Sequence, residues 1–189
     1  LQNDYPGIQW VERIYFGGLL DVPDENGETR AQAPASGQAV DLLSPDSKEA
    51  ERMNIEQSII SGRLPRNRGE ALISDEFANR FDVAPGDEVT VFSSTMYGSM
   101  AFKNFTVSGT VRFGTTMLDR GAVIIDIRDA REAFNMDNAA GEVLGYFEEG
   151  KYLKEKAEAV KNSFNEKYSD EEDEFSPLML TLGDQEGLD

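Results

Sequence analysis

The chain has 189 residues, with 18 Lys and Arg against 36 Asp and Glu, and so a net charge of −18. A surface this acidic repels nucleic acid and anionic lipid headgroups, whose binding depends on Lys and Arg displacing counterions; the same charge also serves solubility. With no Cys and no His, disulfides, thiolate nucleophiles, thiolate zinc sites and His-dependent triads are excluded, whereas Ser–Lys dyads, Thr nucleophiles and carboxylate pairs remain available.

The length suits one compact domain or two small lobes. No apolar run reaches the roughly 18–20 residues that span a bilayer, and no basic start followed by an apolar stretch marks a leader. The first residue is Leu1, not Met, which reads as a segment of a longer protein.

Residues 8–16 are rich in β-branched and aromatic side chains and predict a strand. Asn26-Gly27 follows as a turn, because both residues tolerate positive φ. Residues 30–42 form a weaker extended stretch, with Pro34 pushing it towards an edge or an irregular strand. The two predict a hairpin. Ser47 is a candidate N-cap for a helix whose face is Met53, Ile55, Ile59 and Ile60, and which Gly62 ends. Residues 62–69 are a basic loop whose Arg63, Arg66 and Arg68 either form an anion site or balance nearby carboxylates.

A compact strand–helix–strand pattern comes next. Residues 71–73 are a short strand, and Ser74 caps a helix through Phe81 with Phe77 and Ala78 facing inward. Pro85-Gly86 makes a tight turn, and residues 88–92 form a strand whose partner is 105–111 by its alternation. Residues 122–125 are continuously apolar, a strand covered on both faces. Asp126 caps a helix through Phe134, with Ile127, Ala130 and Phe134 at helical spacing. Residues 143–147 are another strand. The longest helix is 152–168, striped by Leu153, Ala157, Val160 and Phe164. The acidic run 169–174 lacks the alternating ligands and turn glycine of a calcium loop and reads as a solvated loop. Residues 177–182 predict a last strand. Strands and helices in no strict βαβ order give an α+β fold class.

No G-x-S-x-G elbow and no G-x-x-x-x-G-K-[ST] phosphate loop occurs. Among so many acidic residues a carboxylate pair at glycosidase separation arises by chance. No catalytic residue is assigned, nor any metal or cofactor site, and the expectation is that this is not an enzyme.

Residues 59–134 resemble a known family. Ile59-Ile60-Ser61-Gly62-Arg63-Leu64 with Gly69-Glu70-Ala71-Leu72-Ile73 is similar to the "G-E-x-x-I" entry of the MacB-like periplasmic core domain. Val83-Ala84-Pro85-Gly86-Asp87-Glu88-Val89 resembles its "V-x-x-G-D-x-V" segment, and Phe105-Thr106-Val107-Ser108-Gly109 its "F-x-V-x-G" strand. Asp126-Ile127-Arg128-Asp129-Ala130 resembles the helix after the next strand. That domain belongs to ABC transporter permeases of the MacB, lipoprotein-releasing and FtsX-like types.

The resemblance implies an extracytoplasmic domain, on the periplasmic or cell-surface side, tethered between the first two membrane helices of the parent. It implies two lobes: a porter-like β-α-β lobe from residues 1–42 and 141–189, and an inserted mixed α/β sabre-like lobe at 43–140. It implies no cofactor here, since ATP is used by a separate nucleotide-binding domain, and no nucleic-acid partner. The implied partners are that cytoplasmic ATPase subunit, reached through the membrane part, a second permease copy or paralogue, and an extracytoplasmic carrier, adaptor or hydrolase. The implied work is lipoprotein release, efflux or mechanotransmission.

In lipoprotein-releasing permeases the loop between the two central sabre strands forms a hook. The matching loop here, 93–104, is shorter and proline-free, yet it carries Met96, Tyr97, Met100 and Phe102, side chains suited to protein contacts. The alternative is that one or two of them tuck into the core or cap the sheet. A rival to the whole reading is a stand-alone secreted or surface binding and adhesion module, which would share the acidic composition and the missing catalytic set.

Overall fold

The computed structural model describes residues 1–170, 172, 173 and 175–184, and the backbone alone at Met117. In chain order the elements are β1 (Ile8–Pro23), β2 (Thr29–Val40), α1 (Glu49–Arg52), β3 (Ile59–Gly62), β4 (Glu70–Ser74), α2 (Asp75–Phe81), β5 (Glu88–Ser94), β6 (Met100–Val111), α3 (Thr116–Asp119), β7 (Ala122–Asp126), α4 (Ile127–Phe134), β8 (Glu142–Phe147) and α5 (Lys154–Tyr168). This is a mixed α/β architecture. Its contacts separate two compact units, Glu12–Val143 and the two chain ends Leu1–Val11 with Leu144–Asp189.

In the larger unit, β1 and β2 form the expected antiparallel hairpin, Ile14 opposite Ala39 and Leu20 opposite Ala33. Asp24 closes its turn by accepting from the amides of Asn26 and Glu28. From β2 the pairing runs parallel to β7, antiparallel to β4, parallel to β6, then antiparallel to β5 and to β1. Because β1 also pairs with β2, the six strands close into a ring. Closure removes free edges, and alternation along each strand sends every second side chain to one side.

On one side lies a large cluster that includes Leu20, Ile73, Val89, Phe105, Val123 and Ile125. On the other, Val40, Ile55, Leu72, Val111 and Ile124 form a smaller one. Strand β7 feeds both clusters and is buried throughout, which is why it reads as an unbroken apolar run. Helices α2 and α4 add Phe77, Ala78, Ile127, Ala130 and Phe134 to the larger cluster. Each starts on the predicted cap: the Ser74 side chain accepts from Phe77 N and the Asp126 side chain from Arg128 N. Each ends on a left-handed residue, Asp82 and Asn135, that stops further winding.

The helix expected from Ser47 to Gly62 is not formed. Only α1 and a 3-10 turn, Glu56–Ser58, are helical, and residues 59–62 are β3, paired antiparallel with β6. Asn54 takes a φ of 54°, which breaks the helix, and β6 then offers ladder partners to Ile59, Ser61 and Gly62. The N-cap is Lys48, with no side-chain cap bond. Gly62 has a φ of 78° and lies so near the Ser108 carbonyl and the Gly109 Cα that no Cβ fits.

The smaller unit holds the start of β1, most of β8, α5 and the segment after it. The Glu148 amide donates to the Gly7 carbonyl, and the Trp10 ring lies over Gly145, where a side chain would collide with it. Tyr5 meets Trp10 edge-on at 6.3 Å. The Trp10 indole N–H is buried with no hydrogen-bond partner among the described residues. Helix α5 has no buried residue; its stripe of Ala157, Val160 and Phe164 is half-covered. The expected strand at 177–182 is not formed: among the described residues the segment pairs with no strand, and it ends in a 3-10 turn at Leu182–Asp184. The acidic run forms turns around Asp170 and Asp173, with residues 171 and 174 outside the described residues.

The compact units divide near residues 11 and 144, whereas the two lobes that the resemblance implies divide at 42 and 141. The first hairpin makes the difference: from Ile14 onward it belongs to the ring through β7 and β5.

Candidate functional site

The residues singled out at 93–104 sit on the tip of the β5–β6 hairpin. Strand register puts Ser94 opposite Met100 and Phe92 opposite Phe102, leaving residues 95–99 as the connection. That connection is tied tightly. Thr95 N donates to the Ser99 carbonyl at 2.7 Å, Gly98 N to the Thr95 carbonyl, and Ser99 N to the Thr95 hydroxyl. Gly98 supplies the φ of 82° that the turn requires. From outside the hairpin, the carbonyl of Phe134, the last residue of α4, accepts from Met96 N at 3.0 Å. The tip is therefore anchored to the helix beneath it.

All four candidate side chains are exposed: Met96 53%, Tyr97 76%, Met100 81% and Phe102 68%. None tucks into the core. Alternation explains the pair on β6, since Ala101 and Phe105 point into the buried cluster and Met100 and Phe102 point away. Across the strands, Leu19 of β1, Phe92 of β5 and Phe102 of β6 are consecutive register partners. Residues directly opposite share a face, so these three form an apolar row over the outer surface, with the Phe92 and Phe102 rings 6.1 Å apart. Leu19 and Phe92 were not picked out from the sequence. The signal for Phe92 was present, because Val89 and Val91 are inward and 92 therefore faces out; Leu19 is hidden in the Leu19-Leu20 doublet until the register is known.

Next to the tip lies a notch of about 320 Å³ lined chiefly by Tyr15, Phe16, Met96, Phe134 and Met136. Its floor is aromatic, with Phe16 and Phe134 at 4.9 Å. Together the row, the tip and the notch offer apolar contact of the kind that protein partners use.

The base of the hairpin is held by ion pairs. Lys103 of β6 donates to Glu132 at 2.9 Å, and Arg68 pairs with Glu132 and with Asp129. Asp129 is fully buried and also accepts from Gly69 N at 2.8 Å. Two of the loop arginines, Arg68 and Arg63, are thus matched to carboxylates, and Arg63 forks onto Glu70 with both bonds at 2.8 Å. That guanidinium, helped by the amides of Arg66 and Asn67, lowers the Glu70 pKa to about 2 against an opposing desolvation effect. The Lys103 ammonium likewise holds Glu132 below the usual carboxylate range.

Among the described residues no group of three acidic side chains is placed to hold a metal ion, and no helix is long and apolar enough to cross a membrane. What the arrangement can do is present an apolar surface on a braced hairpin. No protein-family model matches the chain, and no curated protein matches it significantly. Among solved structures it resembles the periplasmic region of MacB from Actinobacillus actinomycetemcomitans, with a TM-score of 0.55 and 10% sequence identity over 87% of this chain and 69% of that one. The chain therefore shares the fold of that periplasmic region.

Proposed function

We propose that the chain is the extracytoplasmic domain of an ABC transporter permease, gripping a partner protein with the β5–β6 tip and passing on motion driven by ATP hydrolysis elsewhere. The supporting observation is the apolar tip itself, with its outer row, mounted on a closed ring of strands and braced by Lys103, Arg68 and α4. Force is transmitted without loss only through an element that does not bend. A hairpin bonded to a helix end and to a buried carboxylate meets that requirement. The MacB-like fold supports the same reading.

On this reading the compact unit 12–143 is the sabre-like lobe and the chain ends are the porter-like lobe. The domain performs no chemistry and holds no cofactor. It stands on the outer side of the membrane, tethered by flanking helices of its parent. The parent works with a cytoplasmic ATPase and a second permease copy or paralogue, and the outer partner is a carrier, an adaptor or a hydrolase.

The test uses the full-length parent with a photo-crosslinking residue at position 97. An extracytoplasmic protein should be crosslinked in wild type and lost in a variant with Met96, Met100 and Phe102 all changed to Ser. ATP turnover by the complex should be unchanged. Equal crosslinking in both would refute the tip as the contact.

A further inference from the structure

The segment following α5 alternates in burial as a β-strand does, and among the described residues it pairs with no strand. Its inner side is held by side chains acting as a strand would. The Asn165 amide donates to the Met179 carbonyl at 3.0 Å, and its oxygen accepts from Met179 N at 2.8 Å. The Ser169 hydroxyl donates to the Pro177 carbonyl, and Thr181 N donates to Asp184 at 2.7 Å. In extended chain the N–H and C=O of successive residues point to opposite sides. With Pro177 and Met179 bonded on the α5 side, and Thr181 tied to Asp184 in the turn that follows, the backbone groups of Leu178 and Leu180 are left outside these bonds. Among the described residues neither has a hydrogen-bond partner.

The side chains alternate with the same period. Thr181 is buried and Met179 half-buried, while Leu178, Leu180 and Leu182 are 66%, 58% and 51% exposed. This puts Leu178 and Leu180, about 7 Å apart at the usual strand rise, beside backbone donors and acceptors that are open among the described residues, with Leu182 starting the 3-10 turn that ends the edge. Proteins normally blunt such an edge with Lys, Pro or a bulge. From Leu178 to Leu182 there is no Pro and no charged residue.

We infer that residues 178–181 are a docking edge that takes one strand of a different protein, apolar and basic by turns, by β-augmentation. Backbone pairing supplies the affinity and the leucine row selects apolar side chains opposite it. Charge chooses the partner. Asp170, Glu172 and Asp173 precede the edge, Asp184 follows it, and the whole chain carries −18. A second copy pairing antiparallel about Met179 would set the acidic run of one chain against the acidic end of the other. A strand with Lys or Arg at its ends meets attraction there. This edge uses residues of the chain-end unit and stands independently of the hairpin-tip proposal.

The probe is a synthetic peptide, Lys-Val-Lys-Val-Thr-Val-Lys, titrated into the 189-residue chain and followed by fluorescence anisotropy. Binding is expected, with at least a tenfold loss when alternate peptide nitrogens that face the edge are methylated. Leu180→Pro should cause a similar loss, because it removes an edge donor while leaving the Asn165 clamp in place. Leu180→Asp provides a second variant that keeps the backbone donor and loses the apolar contact. Circular dichroism checks that both stay folded. Absence of binding, or binding indifferent to methylation and to Leu180→Pro, overturns the inference. So does a dimer of the chain that Leu180→Pro dissolves, which would make a second copy the occupant.

Discussion

The two compact units reach order by different means. Helices α2 and α4 have 7 and 8 residues, yet each is capped by a side chain and sinks aromatic or branched residues into the larger cluster. Helix α5 has 15 residues, no side-chain N-cap and no buried position. Its apolar stripe is real but half-covered, and surface pairs such as Lys161 with Glu158 and Asp184 add little. Length and periodicity therefore mark a helix without saying how much it contributes. Stability is concentrated where non-local strand pairing encloses side chains.

The widest separation of the two units comes from truncating a ring in each. Phe77→Ala removes a buried ring packed 4.6 Å from Phe81 and should cost about 3–5 kcal/mol. Phe164→Ala in α5 should cost about 1 kcal/mol, because that ring is half-exposed already. Urea unfolding of both variants decides it, and equal losses would erase the distinction. Asp126→Ala follows at about 2 kcal/mol, since its carboxylate caps α4 and also accepts from Leu42 N and from Arg128.

Acid sharpens the comparison. Glu70 in the ring and Asp184 in the tail both have pKa values lowered to about 2, Glu70 chiefly by Arg63 and Asp184 chiefly by the Thr181 amide. A folded-state pKa below the unfolded one adds stability above the unfolded value that is lost as pH falls through the folded one. Both contributions are thus present at pH 6 and decline from about pH 4.5 towards 2. Loss at Glu70 should lower the global urea midpoint, and Glu70→Gln should flatten that decline. Loss at Asp184 should speed exchange of the Thr181 amide while leaving the midpoint unmoved. The smallest effect is at the hairpin tip. Met96, Tyr97 and Met100 to Ser should change stability by less than about 0.5 kcal/mol, because exposed side chains contribute little to it.

Much of the larger unit was legible because its signals are local. Ser74 and Asp126 cap where their chemistry suggests, Asn26-Gly27 turns the first hairpin, and alternation pairs 88–92 with 105–111. The failures are equally physical. Met53, Ile55, Ile59 and Ile60 fall near helical spacing by coincidence, and only the left-handed Asn54 and the partner strand β6 reveal that the last two belong to β3. At 177–182 the residues predict a strand that does not form, because a strand needs a neighbour and sequence does not say whether one exists. The sequence puts Met96, Tyr97, Met100 and Phe102 at a hairpin tip but leaves open whether one or two tuck into the core; only the strand register turns them outward. The outer row did not follow from the sequence, because Leu19, Phe92 and Phe102 become neighbours only once three strands are in register.

The permease reading stands or falls on what the parent protein is built into. Purified from membranes with mild detergent, the full-length parent should bring down an ATP-hydrolysing subunit in fixed proportion. Recovery of the parent as a secreted, water-soluble protein with no such subunit would contradict the account.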